Sequence, residues 1–181
     1  MIHVRAIAAV VLLSICAPIP AGAQPVASEN ELKAAYLVNF ARFVGWPAGV
    51  GGNEFTICVL EAEPLAAAVQ ASLKGLVVQN LPVALRRIVL AEEARACRML
   101  FIGASAAPRL PAILTELAAA PVLTVSDMPQ FVGRGGMIQF VHEGERVRFA
   151  VDLAPAQLAG LMLSANLLRV ATVVRPGVRA Q

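Results

Sequence analysis

The sequence predicts a single α/β domain, a sandwich in which helices flank a mixed central β-sheet. Short apolar segments with the pattern of buried strands begin at Phe55, Arg98 and Val122, and helical segments lie between them. This alternation is typical of parallel strands joined by crossover helices. A hairpin around residues 143–145 adds antiparallel strands near the carboxyl end. The order therefore favours a sheet that is parallel in its first half and antiparallel at the hairpin.

The amino-terminal segment has the three-part pattern of a secretory signal peptide. Arg5 supplies a positive charge, residues 6–17 form an apolar run, and Ala21-Gly22-Ala23 places small residues before a cleavage point. This combination is typical of export from the bacterial cytoplasm. We therefore predict a signal peptide at residues 1–23 and a protein that works in the periplasm.

Two alternatives for this segment are a membrane anchor and a lipoprotein modified at Cys16. A membrane span needs about 20 apolar residues, and Pro18 interrupts this run early. The bulky Ile15 precedes Cys16 where a lipoprotein has a small residue. With the signal peptide removed, we predict one domain at residues 24–174 and a flexible tail at residues 175–181.

The charge balance argues against nucleic acid as a partner. The formal net charge is only +3 for 181 residues, and the basic residues are scattered. Hydrophobic residues make up 58% of the chain. After the signal peptide, proline, glycine or charged residues interrupt every apolar stretch, so we predict no transmembrane helix. Such a composition indicates a well-filled core and some exposed apolar surface for a partner.

The cysteines are consistent with export. Cys16 leaves with the signal peptide, and the mature chain keeps Cys58 and Cys97. An even count in an oxidising compartment favours a disulfide, which would stabilise the fold by about 4 kcal/mol on the chain-entropy estimate. The alternative is a pair of buried free thiols.

Capping and periodicity define the first helix. Ser28 and Glu31 have the spacing of a capping box, and residues 45–47, Gly-Trp-Pro, end the helix. Large apolar side chains recur at helical spacing and predict its buried face. They are Leu32, Tyr36, Phe40 and Phe43, and Lys33 and Arg42 lie elsewhere on the helical wheel.

The rest of the chain divides into short strands and helices. We predict strands at residues 55–60, 98–102, 122–125, 136–142 and 146–153, with extended pieces at 76–88. We predict helices at residues 64–73, 108–119 and 155–173, with a short helical or turn segment at 92–97. The alternation of Arg146 and Arg148 with apolar residues places both arginines on one face of their strand.

Catalytic chemistry has little support in the residues. His142 is the only histidine of the mature chain, and its possible partners are Ser105, Ser126 and Asp127. Neither serine lies in a G-x-S-x-G turn, and a lone histidine beside a hairpin turn is typical of a solvated residue. One histidine and two distant cysteines do not make a zinc site. We therefore predict no catalytic, metal or cofactor site.

Two polar segments leave alternatives open. Residues 133–136 are rich in glycine, but phosphate loops lead into a helix, whereas this run leads into a strand, so we predict a turn with positive φ. Ser126 and Asp127 follow a predicted strand. They could form the edge of a polar pocket or cap the next turn.

Tyr36 and Trp46 are the only tyrosine and the only tryptophan, and both lie in one segment, residues 33–47. We favour the interpretation that they pack this helix onto the sheet. The alternative is that part of this aromatic surface forms a groove for a partner or ligand.

The same segment carries a family resemblance. Residues 33–47, KAAYLVNFARFVGWP, resemble the opening signature of the YfiR family of periplasmic regulators. The similarity continues in order over nearly all of the mature chain. Its further segments are residues 58–60, 100–105, 122–127, 131–140, 146–149 and 159–168.

The resemblance implies a fold, a role and partners. The family's α/β sandwich forms homodimers and inhibits a membrane-bound diguanylate cyclase from the periplasm, which lowers cyclic di-GMP and biofilm formation. An OmpA-like outer-membrane lipoprotein sequesters the inhibitor and so releases the cyclase. The family's disulfide corresponds by position to Cys58 and Cys97. No cofactor is implied.

Two residues depart from the family pattern. Glu61 stands where the strand signature usually turns through glycine, and Asp152 replaces the usual asparagine. The second change puts an acid near Arg146 and Arg148, where it could alter a binding surface. A second cysteine pair that some members carry is absent here.

Two functional hypotheses follow. The first is a binding module that inhibits a cyclase. The second is a periplasmic small-ligand binder or hydrolase that uses Ser105, Ser126 and Asp127, because ligands gather at the carboxyl ends of strands in α/β sheets. The candidate residues for a partner or ligand surface are Tyr36, Trp46, Ser126, Asp127, Arg146, Arg148 and Asp152.

Overall fold

An eight-stranded mixed sheet forms the centre of the computed structural model, which describes residues 28–50 and 52–176. The predicted signal peptide lies outside the described residues. The strands are β1 Val44–Gly45, β2 Phe55–Leu60, β3 Val77–Val78, β4 Leu81–Ile88, β5 Met99–Ile102, β6 Leu123–Ser126, β7 Ile138–Glu143, β8 Arg146–Asp152, β9 Met162–Leu163 and β10 Val173–Arg175. Strands β1 and β9 form a separate two-stranded sheet. The helices are α1 Glu29–Phe43, α2 Glu63–Ser72, α3 Leu110–Glu116, α4 Leu153–Leu158 and α5 Ala165–Val170, with 3₁₀ turns at Ala91–Ala96, Ala104–Arg109 and Val132–Arg134.

The strand order is β10-β8-β7-β6-β5-β2-β4-β3. Strands β4, β2, β5, β6 and β7 are parallel, β7 and β8 form the antiparallel hairpin, and β10 runs parallel to β8. This arrangement confirms the predicted mixed sheet. The chain leaves β2 first toward β4 and then returns to β5 on its other side. The loops after β2 and β5 therefore diverge at the carboxyl edge of the sheet.

Two apolar layers cover the sheet because successive strand residues point to opposite faces. On the first face, Ile57 and Phe149 pack with Leu37 and Phe40 of α1. On the second face, Cys58, Leu100 and Ile102 pack with Leu110 of α3 and with Phe131. Within residues 28–50 and 52–176, none of the helices is long and apolar enough to cross a bilayer.

Helix α1 begins as predicted but buries a different face. The Glu31 amide donates to Ser28 Oγ, and the Ser28 amide donates to the Glu31 carboxylate, which completes the capping box. Leu32 and Phe43, however, are 40% and 41% exposed, so their assignment to the buried face was wrong. The buried face consists of Lys33, Ala34, Leu37, Phe40 and Ala41. It is rotated from the predicted stripe and includes Lys33, which was expected off this face and pairs with Glu29 and Asp127.

The predicted helix over residues 155–173 is wrong. Gly160 adopts a φ of +70° and ends α4, with the Leu161 amide donating to Ala156 and the Gly160 amide to Gln157. This is a Schellman ending, for which glycine is favoured. Ser164 then starts α5 as a new cap, since its Oγ accepts a hydrogen bond from the Leu167 amide. Between them, β9 pairs antiparallel with β1.

Two further boundaries differ from the prediction. The helix predicted at residues 108–119 starts as the 3₁₀ turn Ala104–Arg109, and α3 ends at Glu116. Arg175, assigned to the flexible tail, is the last residue of β10 and pairs in register with Asp152. Residues 177–181 lie outside the described part of the chain.

Candidate binding surface

A buried lysine links the first turn of α1 to the carboxyl edge of the sheet. Lys33 is 4% exposed, and its Nζ lies 2.6 Å from Asp127 Oδ2 and 2.6 Å from Glu29 Oε1. Glu29 Oε1 also lies 3.2 Å from His142 Nε2. We call Glu29, Lys33, Asp127 and His142 the Lys33 cluster. It joins α1, the residue after β6, and β7.

The electrostatics of this cluster are those of a structural ion pair. Burial lowers the pKa of Lys33, but hydrogen bonds to Asp127 and Glu29 outweigh burial and hold the pKa above 10.5. The hydrogen bond from Lys33 is the main cause that lowers the pKa of Glu29 below 4.5, against the opposing effect of burial. Lys33 therefore stays charged at neutral pH and cannot act as a general base or nucleophile.

Replacing Lys33 with methionine is expected to lower the free energy of unfolding by about 2 kcal/mol. This value lies between the loss of about 1 kcal/mol typical of exposed pairs and the larger loss, about 3–5 kcal/mol, on breaking buried ones. The expected loss is intermediate because Lys33 is buried, whereas Glu29 and Asp127 are partly exposed. Urea unfolding at pH 7 measures it, with Lys74→Met as the matched exposed control.

The same variant should change the pH dependence of stability. The pKa of Glu29 is depressed in the folded state, so its contribution is present above the unfolded value of 4.5 and is lost as the pH falls through the lower folded value. Conversely, Lys33 contributes fully below 10.5 and loses its contribution as the pH rises through its raised folded pKa. If the free energy of unfolding of Lys33→Met fell with decreasing pH below 4.5 as it does in the wild type, this account would be contradicted.

Tyr36 packs α1 onto the sheet. Its ring centroid lies 5.8 Å from that of Phe140 and 5.6 Å from that of Phe149. Its hydroxyl donates to the Val147 carbonyl oxygen at 3.1 Å. The side chain is half-buried and its polar atom is already satisfied, so these contacts favour the packing interpretation.

Trp46 has a similar role at the opposite, amino edge of the parallel strands. Its ring stands edge-on to Phe55 with centroids 5.0 Å apart, and Nε1 donates to the Arg98 carbonyl oxygen at 3.0 Å. The Arg98 guanidinium lies 5.6 Å from the Phe55 ring centroid. Trp46 thus closes the end of the first core layer.

The polar residues at the carboxyl edge of the sheet are mostly engaged with the protein itself. Ser126 is fully buried; its Oγ donates to the Ile102 carbonyl at 2.7 Å and accepts from the Met128 amide. The Ser105 hydroxyl donates to the Glu61 carbonyl at 3.2 Å. Asp127 keeps 30% of its side chain exposed. Ser105 is exposed and Asp127 is partly exposed, so these two residues carry the accessible polar groups of this edge.

A small cavity of about 190 Å³ remains beside Asp127. It lies where the loops after β2 and β5 diverge and is lined by Asn30, Ala62, Phe101 and Gly103, among others. Such a divergence point is the usual place for a ligand in an open α/β sheet.

Arg146 and Arg148 lie on the second face of β8, as their alternation predicts. Val141 of β7 is in register with Arg148 of β8. Arg175 of β10 is in register with Asp152 of β8. We call the exposed surface formed by Val141, Arg146, Arg148 and Arg175 the arginine face. The Arg148 side chain is 43% exposed, so this face is open to a partner.

Arg148 has unused hydrogen-bonding capacity. Its Nε lies 3.6 Å from Glu143 Oε2, too far for a hydrogen bond. This atom is buried and has no hydrogen-bond partner within the described residues. A partner carboxylate that reached the guanidinium would satisfy it.

The two departures from the family pattern have clear structural positions. Asp152 Oδ1 accepts a hydrogen bond from the Ala154 amide at 2.9 Å and caps α4. Asparagine and aspartate cap helices about equally well, so the exchange preserves this role. Glu61 has a φ of +54°, the left-handed region that favours glycine. Its carboxylate pairs with Arg109.

Cys58 and Cys97 form a disulfide with a Cα–Cα distance of 5.9 Å. The bond ties β2 to the segment that enters β5, inside the second core layer. This confirms the pairing expected from the cysteine count.

Two further residues considered in the sequence are Gly135 and His142. Gly135 has a φ of +99°, as expected for a turn. The His142 side chain is 54% exposed and lies against Glu29. Within residues 28–50 and 52–176, no group of three or more His, Cys, Asp or Glu side chains could hold a metal ion.

The comparison with known families decides the relationship. The chain matches the YfiR/HmsC-like family over residues 30–172, almost the whole described fold. This protein belongs to the YfiR/HmsC-like family. The family consists of periplasmic regulators and is regulatory in character. No curated protein matches the chain in sequence.

Two solved structures resemble the YfiR/HmsC-like chain in fold. A conserved domain protein from Vibrio cholerae O1 biovar El Tor has a TM-score of 0.59 and 10% identity over 82% of this chain. An ABC domain in complex with L-Trp from Streptococcus pneumonia has a TM-score of 0.53 and 12% identity over 78%. The aligned part spans 60% of each of those chains. These identities establish similarity of fold alone.

Proposed function

We propose that this YfiR/HmsC-like protein is an exported inhibitor that binds the periplasmic region of a membrane diguanylate cyclase and lowers cyclic di-GMP and biofilm formation. The family match over residues 30–172 carries the proposal. The pattern of a signal peptide at residues 1–23 supports a periplasmic location.

The chemistry of the described residues supports action by binding. The side chains considered for hydrolysis have structural partners: Ser126 is buried with its hydroxyl engaged, and Asp127 pairs with Lys33. His142 lies against Glu29. By contrast, the arginine face presents cationic and apolar side chains together, a composition suited to a protein partner.

Deleting the gene is expected to raise cellular cyclic di-GMP several-fold and to increase biofilm. Restoring the wild-type gene should reverse both effects, and restoring it without residues 1–23 should not, because the product would stay in the cytoplasm. Mass-spectrometric quantification of cyclic di-GMP is the measurement. Unchanged levels across growth conditions would contradict the proposed function.

We further propose that the arginine face contacts the cyclase. Replacing Arg148 with alanine should weaken binding of the mature domain to the cyclase periplasmic region by about tenfold, since a charge-assisted hydrogen bond is lost. The matched control is Arg42→Ala, an exposed arginine on α1. Biolayer interferometry measures both affinities. If Arg148→Ala and Arg42→Ala lost the same affinity for the cyclase, the arginine face would not be the interface.

Sequestration and self-association are the remaining parts of the proposal. We expect an OmpA-like outer-membrane lipoprotein to compete with the cyclase for the inhibitor and the inhibitor to form a homodimer. Light scattering after size-exclusion chromatography tests the dimer, and competition binding tests the lipoprotein. Simultaneous binding of both partners to one inhibitor would contradict sequestration.

A second candidate function is small-ligand binding in the cavity beside Asp127. Its position where the loops after β2 and β5 diverge favours it. A small molecule that raises the melting temperature of the wild type but not of Asp127→Asn would support this function. If no compound raised the melting temperature and the protein bound the cyclase tightly, small-ligand binding would be excluded.

A further inference from the structure

We propose that a groove between α3 and α4 binds a small aliphatic carboxylate, an amphiphile with one anionic head. The groove has a volume of about 460 Å³ and is lined by Leu114, Leu117, Arg134, Met137, Pro155 and Leu158, among others. This volume lies within the range typical of small-molecule sites. The inference does not depend on the proposed inhibition of a cyclase.

The groove exists because no crossover helix follows β6 to fill the space between α3 and α4. The connection from β6 to β7 contains only the 3₁₀ turn Val132–Arg134 in place of a crossover helix. The outer side of α3 therefore faces open space, with Leu114 only half-buried. Across the groove, Leu158 of α4 is 70% exposed. An apolar ligand would remove both leucines from water.

The lining determines the chemical class of the ligand. Its apolar residues are aliphatic, with no aromatic ring to stack on, so the groove suits an acyl chain. The polar lining side chains other than arginine are engaged: Thr115 Oγ1 donates to the Pro111 carbonyl, and Thr124 Oγ1 accepts from the Met137 amide. Neither threonine needs a ligand atom.

Arg134 supplies the one free polar anchor of this lining. Its Nη2 donates to the Ala107 carbonyl at 3.1 Å, and its other N–H groups make no hydrogen bond to the described residues. In the described part of the chain, no carboxylate pairs with it. A carboxylate head is the complement of an unpaired guanidinium. An aliphatic body beside a single cation therefore indicates a monomeric acyl carboxylate.

Decanoate, added below its micelle concentration to the mature domain, is the probe. Methyl NMR of the methionines reports the site: both Met137 and Met99 are buried in the first core layer, but only Met137 lines the groove. We expect saturable shifts at Met137 and little change at Met99. Decyltrimethylammonium, which has the same chain length and the opposite charge, should bind at least tenfold more weakly.

Variants locate the two ends of the ligand. Arg134→Gln should weaken decanoate binding about tenfold, and Leu158→Asp should abolish it without loss of fold, because this side chain is exposed. Arg169→Gln, an exposed arginine on α5, is the matched control and should bind as the wild type does.

Three results would overturn the proposal. The first is the absence of Met137 shifts, and the second is equal binding of the cationic amphiphile. The third is binding to phosphatidylglycerol vesicles without binding to monomeric decanoate, which would make the groove a membrane contact. Each can occur while the domain still binds its cyclase, so the failure of this inference and of the proposed function are distinguishable.

Discussion

Removing the Cys58–Cys97 disulfide is expected to lower the free energy of unfolding by about 4 kcal/mol. The cysteines are 39 residues apart, and the chain-entropy estimate for a loop of this length gives this value. The double variant Cys58→Ala/Cys97→Ala avoids placing a hydroxyl in the core, where the two side chains are 0% and 2% exposed. Its melting temperature should fall by roughly 8–16 °C.

The location of the disulfide decides how reduction must be done. Both sulfur atoms lie inside the second core layer, so a reductant reaches them only when this layer opens. Reduction in denaturant followed by refolding under reducing conditions should give the wild type the stability of the double variant. The double variant itself should not respond to reductant. A wild type that melts at the same temperature before and after this reduction and refolding would contradict the prediction.

Local signals explain why much of the fold could be predicted from the sequence. The start of α1 depends on Ser28 and Glu31, three residues apart, and both positions are visible in the chain. The alternation along β8 likewise follows from the period of a strand. The disulfide followed from a count, because only two cysteines remain in the mature chain.

The errors in the prediction have different causes. Gly160 and Ser164 are local signals that divide the predicted final helix, but the apolar period across residues 155–173 obscured them. The pairing of β1 with β9 joins segments more than a hundred residues apart. Two-residue strands have no pattern of their own, so only tertiary structure reveals this pairing.

The Lys33 cluster was not inferred from the sequence. The stripe of Leu32, Tyr36, Phe40 and Phe43 places Lys33 off the buried face, whereas the structure buries it on the same face as Leu37 and Phe40. A lysine in that position requires an acidic partner. Its partner Asp127 lies 94 residues away, a separation that no local pattern can bridge. The sequence also did not show that backbone carbonyl groups elsewhere in the chain accept hydrogen bonds from the side chains of Tyr36, Trp46 and Ser126.

Replacing Gly103 with alanine is expected to lower the free energy of unfolding by about 3 kcal/mol, at the upper end of the usual cost of overpacking. A Cβ atom at this position would lie 2.0 Å from the Glu61 carbonyl oxygen and 2.7 Å from its carbonyl carbon. Both are backbone atoms of the loop after β2, which Glu61 already holds at a φ of +54°. The loop cannot move away cheaply, because the amide of Gly103 also donates to Leu60 at 2.8 Å.

Gly52→Ala is the matched control, since its Cβ would meet nothing within 4 Å and its φ is not in the left-handed region. This variant should be as stable as the wild type or slightly more stable, because alanine reduces the freedom of the unfolded chain. Urea unfolding of both variants separates a steric clash from a general effect of replacing glycine. If the two substitutions changed stability equally, the close approach of the loops after β2 and β5 would not be what holds the carboxyl edge of the sheet. The cavity beside Asp127 lies between the same two loops, so Gly103→Ala should also abolish any ligand response there.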